Sequence, residues 1–117
     1  MASFLIIDED RNFREALAIA LRLDGHEAAV AATPEDARTR LAAERFTCCV
    51  VDAHIFGADV LLEAIVSSGA LAVATGPYVE LLDATASRHP GAATLPKPFR
   101  AFELTRVVFA ARARATG

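Results

Sequence analysis

The segment Phe4-Leu5-Ile6-Ile7-Asp8-Glu9-Asp10, near the start of the chain, is the most informative about the fold. Its four consecutive apolar residues are typical of a strand that is buried on both faces, as in a parallel sheet covered by helices on both sides. Acidic residues follow the apolar run without a break. In open parallel sheets, ligands bind beyond the carboxyl ends of the strands. The stretch therefore predicts a buried parallel sheet with polar residues at its carboxyl edge.

Short apolar runs and longer amphipathic segments alternate along the rest of the chain. Strands that alternate with helices form repeated crossovers, which place helices on both faces of one parallel sheet. We therefore expect an α/β fold with a doubly wound, five-stranded parallel sheet. The fourth helix is expected to be weak or short, because Thr85 and Ser87 are poor helix formers. Strands are predicted at 4–7, 28–31, 46–51, 70–74 and 93–95, and helices at 11–23, 34–44, 58–67, 78–88 and 99–113.

Composition and charge exclude several classes of function. The chain has 117 residues, of which 54% are hydrophobic and 23% charged, as expected of one globular domain. A formal net charge of −3 gives no basic footprint for nucleic acid. No apolar stretch reaches the ~18–20 residues of a membrane span, and the N-terminus lacks the basic leader of a signal peptide. We expect a single cytoplasmic domain over residues 1–117, without an output domain and without nucleic-acid or membrane partners.

Two adjacent cysteines fit a cytoplasmic protein. Cys48 and Cys49 lie within a predicted strand, where neighbouring side chains point to opposite faces and are badly placed to form a disulfide with each other. Two cysteines without other ligands nearby do not make a metal site. Both are therefore expected to be small, buried hydrophobic residues.

Polar residues with complementary chemistry follow four of the five predicted strands. Asp8 and Glu9 follow the first strand, and Asp52 follows the third. Thr75 follows the fourth strand, and Lys97, the only lysine in the chain, follows the fifth. Converging carboxylates repel one another, and Mg²⁺, which binds carboxylates and phosphate oxygens, relieves that repulsion. Beside such a metal, Asp52 is placed to act as a nucleophile towards a phosphoryl group. Thr75 and Lys97 would then neutralise the phosphoryl oxygens.

This constellation resembles the receiver domain of bacterial two-component response regulators over essentially the whole chain. Asp8 and Glu9 match the acidic pair of that family, and Asp52 matches its phosphoacceptor. Thr75 matches its switch hydroxyl, and Lys97 matches the lysine of its characteristic Lys-Pro-Phe motif. The resemblance implies the flavodoxin-like strand order 2-1-3-4-5. It also implies that Thr75 and Lys97 contact the transferred phosphoryl group.

The resemblance further implies a cofactor and two kinds of partner. Mg²⁺ would be held by Asp8, Glu9, Asp52 and the backbone carbonyl of His54. A sensor histidine kinase or a phosphotransfer protein would donate the phosphoryl group to Asp52. Output would be a contact with a downstream protein. The chain would not be an enzyme, beyond assisting its own phosphorylation and dephosphorylation.

A narrower resemblance is to a single-domain subfamily known as FAT GUY regulators. Asp52-Ala53-His54-Ile55-Phe56-Gly57 is similar to its Asp-x-Asn-Leu-x-Gly motif, and Val73-Ala74-Thr75-Gly76-Pro77-Tyr78 is similar to its Phe-Ala-Thr-Gly-x-Tyr motif. This subfamily implies a partner kinase of the HWE or a related type, and a fourth helix that is short or poorly ordered. Tyr78, the only tyrosine, is the candidate for a switch aromatic residue.

Four residues depart from the family pattern and keep other functions open. Glu9 replaces Asp, His54 replaces Asn, Phe56 replaces Pro, and Thr94 stands where an aromatic switch residue is usual. Glu9, Phe56 and Thr94 support an alternative in which the chain is a degenerate receiver, a protein-interaction module that works without phosphorylation, whereas the intact Asp52, Thr75 and Lys97 argue against it. A third alternative, a small phosphatase of the aspartyl-phosphate type, requires a second acid two residues after the nucleophile, where this chain has His54.

Overall fold

Five parallel strands form the centre of the molecule. The computed structural model describes residues 1–116, and within that range the sheet has the order β2-β1-β3-β4-β5 with every neighbouring pair parallel. The predicted α/β fold and its strand order 2-1-3-4-5 are therefore confirmed. The strands are β1 (Ser3–Ile7), β2 (Glu27–Ala31), β3 (Cys48–Asp52), β4 (Leu71–Gly76) and β5 (Ala93–Pro96), and the helices are α1 (Arg11–Leu23), α2 (Pro34–Ala43), α3 (Ala58–Ser67), α4 (Val79–Arg88) and α5 (Ala101–Thr116).

Two apolar cores lie on opposite faces of the sheet. Side chains of α1 and α5 cover one face, and side chains of α2, α3 and α4 cover the other. Successive residues of β1 alternate between them, with Phe4 and Ile6 in the α1/α5 core and Leu5 and Ile7 in the opposite core. All four are fully buried, and each such side chain contributes roughly 1.5–3 kcal/mol of burial free energy. The continuous apolar run thus explains why β1 occupies an interior position in the sheet, between β2 and β3.

The two cysteines are divided between these cores. Cys48 lies in the α1/α5 core and Cys49 in the opposite one, and both are buried free thiols. Burial disfavours the thiolate, so it raises the pKa of Cys48 far above its ordinary value and the pKa of Cys49 to about 12. Their predicted role as small core residues is confirmed.

Burial of the thiols makes folding stability depend on alkaline pH. Because both thiol pKa values are raised above the ordinary value of 9.0, the folded protein keeps protons that the unfolded chain releases. This stabilisation is fully present below pH 9.0 and is lost as the pH rises towards the folded-state values. We expect the free energy of unfolding to fall by about 3 kcal/mol between about pH 8 and about pH 10, measured by urea denaturation.

The matched control for this pH effect is a variant in which Cys48 and Cys49 are both alanine. Its stability is expected to be lower at neutral pH, because two small core side chains are truncated. The stability difference between wild type and variant should shrink by the same ~3 kcal/mol over that pH range. An unchanged difference would show that neither buried thiol resists ionisation.

Helix α4 is regular and has ten residues, the same length as α2 and α3. The prediction that the fourth helix is short was therefore wrong. Thr85 is buried inside the helix, and its hydroxyl donates a hydrogen bond to the Leu81 carbonyl one turn earlier at 2.8 Å. Leu82 packs into the core beside it. Tertiary burial therefore outweighs the low intrinsic helix propensity of threonine.

A polar contact holds the end of α4 to the beginning of α3. Asp59 Oδ1 accepts hydrogen bonds from His89 Nε2 at 2.7 Å and from Arg88 Nε at 3.1 Å. The hydrogen bond with His89, and then the contact with Arg88, lower the pKa of Asp59. Asp59 is largely exposed, so the contribution to stability is at most about 1 kcal/mol. The contact fixes where α4 ends.

No helix in the described part of the chain has both the length and the apolar character needed to cross a membrane.

Candidate functional site

The strands bring four of the predicted site residues to the same edge of the sheet. Asp8 directly follows β1, Asp52 is the last residue of β3, and Lys97 directly follows β5. Asp52 pairs in register with Thr75 of β4, and Thr75 pairs in turn with Leu95 of β5. Parallel register therefore explains the convergence, because the residues at the carboxyl ends of adjacent strands lie side by side.

Asp8 and Lys97 form a buried ion pair at the centre of the site. Lys97 Nζ lies 2.7 Å from Asp8 Oδ2, and the two side chains are 19% and 2% exposed. The second Asp8 oxygen, Oδ1, accepts a hydrogen bond from the Asp10 backbone N–H at 2.9 Å. Both oxygens of the buried carboxylate thus have a polar partner, as burial of a charge requires.

Asp52 is the more accessible of the two carboxylates. Its side chain is 15% exposed, and its Oδ1 accepts a hydrogen bond from the His54 backbone N–H at 3.0 Å. Its Oδ2 lies 3.9 Å from Lys97 Nζ, so that one ammonium serves both Asp8 and Asp52. Because one oxygen is oriented by the backbone and the other faces the cation, Asp52 is the carboxylate that an incoming group reaches first.

The backbone around Lys97 aims its side chain into this site. The Lys97 N–H donates to the Gly76 carbonyl at 2.8 Å, which continues the pairing of β5 with β4. The Lys97–Pro98 peptide bond is cis. Phe99 then packs edge-to-face on Phe13 of α1, with ring centroids 5.6 Å apart. The two prolines around the lysine thus belong to a turn that both the sheet and α1 hold in place.

Phe13 is a site residue that sequence reasoning missed. Lys97 Nζ lies 4.2 Å from the centroid of the Phe13 ring, which is within cation–π distance. The sequence feature that could have indicated this contact is the position of Phe13 in the first turn of α1, shortly after the acidic residues that follow β1. Arg14 was missed as well; its Nη1 donates to the Asp8 and Glu9 carbonyls at 3.1 and 3.2 Å and orders the loop that carries both acids.

Thr75 is fully buried, and its hydroxyl has the Val51 carbonyl as its hydrogen-bond partner. The hydroxyl donates to the Val51 carbonyl over 3.4 Å, near the upper limit for a hydrogen bond. The Thr75 carbonyl accepts from the Ala53 N–H at 2.8 Å. The threonine therefore links β3 to β4. Because its hydroxyl makes only a long hydrogen bond, it can exchange the Val51 carbonyl for a stronger acceptor placed nearby.

His54 and Tyr78 form an aromatic pair beside the site. Their ring centroids are 5.9 Å apart in an edge-to-face arrangement, and both side chains are exposed. Tyr78, the candidate switch residue, thus lies on the surface against His54, and the turn after Asp52 is linked to the turn after Thr75. Thr94, in place of the usual aromatic residue, is partly buried in β5.

The structure does not bring Glu9 together with Asp8 and Asp52. Glu9 is exposed and lines a neighbouring groove beside the start of α2. Accordingly, no group of three or more His, Cys, Asp or Glu side chains in the described residues is placed to hold a metal. Asp8 and Asp52, which share the Lys97 ammonium, remain as a set of carboxylate oxygens. That set fits Mg²⁺, which uses one or two carboxylates and keeps several waters.

Comparisons with known proteins identify structural neighbours of the chain. No protein-family model and no curated protein matches the sequence. A two-component response regulator from Clostridium difficile is 20% identical, with a TM-score of 0.85 and complete coverage of both chains. A CheY-like response regulator receiver domain protein from Methanospirillum hungatei is 21% identical, with a TM-score of 0.82 over 100% of this chain and 99% of that one.

A third neighbour was solved with ligands. The response regulator TrrA from Thermotoga maritima, in complex with Mg²⁺ and BeF, is 22% identical, with a TM-score of 0.78 over 94% of this chain and 98% of that one. The chain therefore has the fold of response regulator receiver domains, as its motifs predicted. The narrower resemblance to the FAT GUY subfamily stays a prediction.

Proposed function

We propose that this chain is a receiver that accepts a phosphoryl group on Asp52 from the phosphohistidine of a sensor histidine kinase or phosphotransfer protein, and signals through protein contacts. The observation that carries the proposal is the single ammonium of Lys97, which lies 2.7 Å from the buried Asp8 and 3.9 Å from the accessible Asp52. A purely structural ion pair would need only Asp8. A second, partly exposed carboxylate at the same cation is what a phosphoacceptor requires.

The chemistry assigns a role to each oxygen of Asp52. Asp52 Oδ2 would attack phosphorus, forming the new O–P bond as the P–N bond to the donor histidine breaks and its electron pair returns to the imidazole. Oδ1 stays oriented by the His54 N–H, and Lys97 neutralises the charge of the transferred oxygens. Asp8, Asp52 and the His54 carbonyl, together with Glu9, are the residues that would hold Mg²⁺, and the metal would supply further positive charge for the phosphoryl oxygens.

Switching would begin at Thr75. The phosphoryl oxygens are stronger acceptors than the Val51 carbonyl, to which the hydroxyl is held over 3.4 Å. Movement of the hydroxyl towards them would pull on the segment from Thr75 to Tyr78. Because Tyr78 packs on His54, which lies in the turn directly after Asp52, its environment should change in the same step. Tyr78 would therefore report phosphorylation to a downstream protein.

The donor has a suitable approach beside Lys97. A shallow apolar groove between α1 and the start of α5 is lined by Phe13, Ala16, Ala20 and Phe99. Small side chains on α1 allow a partner helix to come close, and the two phenylalanines adjoin Lys97. We propose this groove as the docking place of the kinase, of the HWE or a related type, in the cytoplasm.

The alternative of a degenerate receiver is favoured by one observation, the position of Glu9 outside the carboxylate pair. Titration with Mg²⁺, followed by beryllofluoride, separates the two functions. Tyr78, the only tyrosine in a chain without tryptophan, supplies the fluorescence signal. We expect saturable binding at millimolar Mg²⁺ and a further change with beryllofluoride that the Asp52→Asn variant lacks. If Mg²⁺ at tens of millimolar has no saturable effect on fluorescence or on amide chemical shifts, the degenerate alternative holds.

A further inference from the structure

A second apolar groove lies between the start of α2 and the turn that joins β3 to α3. It has a volume of about 630 Å³, and its apolar lining includes Pro34, Ile55, Phe56 and Val60. Phe56 is 95% exposed, more than any other large apolar side chain in the described part of the chain. An apolar groove beside a fully exposed phenylalanine is typical of an interaction surface.

The outward direction of Phe56 is fixed by the backbone of its turn. The Ile55 N–H donates to the Asp52 carbonyl at 3.1 Å, and the Ala58 N–H donates to the Ile55 carbonyl at 3.0 Å. Gly57 has a φ of +86°, which other residues adopt only under strain, and α3 begins at the next residue. Ile55 therefore points into the core and Phe56 into solvent. A side chain presented by a rigid turn loses little entropy on binding, which suits an interface anchor.

Charges of both signs border the groove. Glu35 and Arg38 are exposed and lie three residues apart on α2, so they share one side of that helix, and Glu9 lies nearby on the same rim. Among the residues whose side chains are described, none of the three makes an ion pair. A partner with basic residues alone would satisfy the acids but would face Arg38 unfavourably.

We propose that the groove binds the same groove of a second copy of this chain, in a two-fold symmetric dimer. Phe56 of each copy would enter the groove of the other. Opposite charges at positions i and i+3 of a helix pair reciprocally when two such helices meet antiparallel across a two-fold axis. Glu35 of one copy would thus meet Arg38 of the second copy, and the reverse. The combination of an apolar projection, an adjacent apolar groove and charges of both signs makes this surface complementary to itself.

Sedimentation velocity over a range of protein concentrations tests the dimer. Because one projecting phenylalanine and one reciprocal charge pair per copy would anchor it, we expect a weak dimer with a dissociation constant of ~10–100 µM. Phe56→Ser should weaken it at least ~10-fold. Phe109→Ser is the matched control: Phe109 is exposed on α5, away from the groove, and its replacement should leave the dissociation constant unchanged.

Charge reversal identifies the contacts within the dimer. Arg38→Glu and Glu35→Arg should each weaken the dimer, by ~3–10-fold, because like charges then face each other across the two-fold axis. The double variant restores opposite charges and should recover most of the wild-type affinity. Circular dichroism checks that α2 stays folded in each variant.

Several results would overturn the proposal. A wild-type protein that stays monomeric at millimolar concentration would show that the groove does not bind a second copy. The occupant would then be different, such as an apolar segment of another protein. A dimer that Phe109→Ser disrupts and Phe56→Ser does not would use α5. A dimer that tolerates both charge reversals, or that the double variant fails to restore, would lack the reciprocal pairing of Glu35 with Arg38.

Discussion

Replacement of Asp52 by asparagine is expected to abolish phosphorylation by a small-molecule donor such as acetyl phosphate. The amide keeps the size and the hydrogen bond from the His54 N–H, but it is neutral and a poor nucleophile. Removing a carboxylate next to Asp8 should also leave the fold intact, because Asp8 keeps its closer contact with Lys97. We expect the rate of phosphoryl incorporation to fall below ~1% of the wild-type rate, measured with radiolabelled donor.

Asp83→Asn is the control for this variant, because Asp83 is an exposed carboxylate on α4, away from the site. It should be phosphorylated at the wild-type rate. Incorporation into the Asp52→Asn protein that equals that of the Asp83→Asn protein would place the acceptor at a different residue.

The second large effect is on stability. Lys97→Met is expected to destabilise the protein by ~3 kcal/mol, since it leaves the buried Asp8 carboxylate without its cation. Methionine keeps most of the apolar length of lysine, so loss of the ammonium, together with its contact to the Phe13 ring, dominates the change. Urea denaturation in the absence of divalent metal measures the free energy of unfolding. The same variant should lose its response to beryllofluoride.

Two further variants isolate the ion pair. Arg100→Met removes an exposed cation three residues away and should change stability by less than ~0.5 kcal/mol. Adding Asp8→Asn to Lys97→Met removes the orphan charge and should restore much of the lost stability, which a double-mutant cycle quantifies. If Lys97→Met is as stable as wild type, water must already solvate Asp8, and the ion pair does not organise the site.

Most of the site residues that the sequence predicted correctly lie at the ends of strands. An apolar run of strand length followed by Asp8, and a short strand followed by Lys97, are local patterns, and parallel pairing leaves little choice about where such residues meet. The fold and the convergence of Asp8, Asp52 and Lys97 therefore follow from sequence. The side-chain direction of Glu9 does not, because Asp8 and Glu9 are adjacent on a loop and only the packing decides which of them turns inward.

Long-range packing explains the remaining differences between the sequence-based predictions and the structure. Thr85 lowers the helix propensity of α4 locally, but its burial and its hydrogen bond to Leu81 depend on where α4 docks on the sheet. Phe13 reaches Lys97 across 84 residues of chain, a contact for which local pattern gives no direct signal. The outward position of Phe56 depends on a positive φ at Gly57, which glycine permits but does not require.

In the proposed function, Asp52 forms an acyl phosphate. The most direct measurement is mass spectrometry of the intact protein after incubation with acetyl phosphate and Mg²⁺, followed by borohydride reduction and peptide mapping. We expect one phosphoryl group per chain, released by neutral hydroxylamine, and reduction of the modified residue only at Asp52. A protein that gains no phosphoryl group, or whose modification maps to Asp8, Glu9 or another residue, would contradict it.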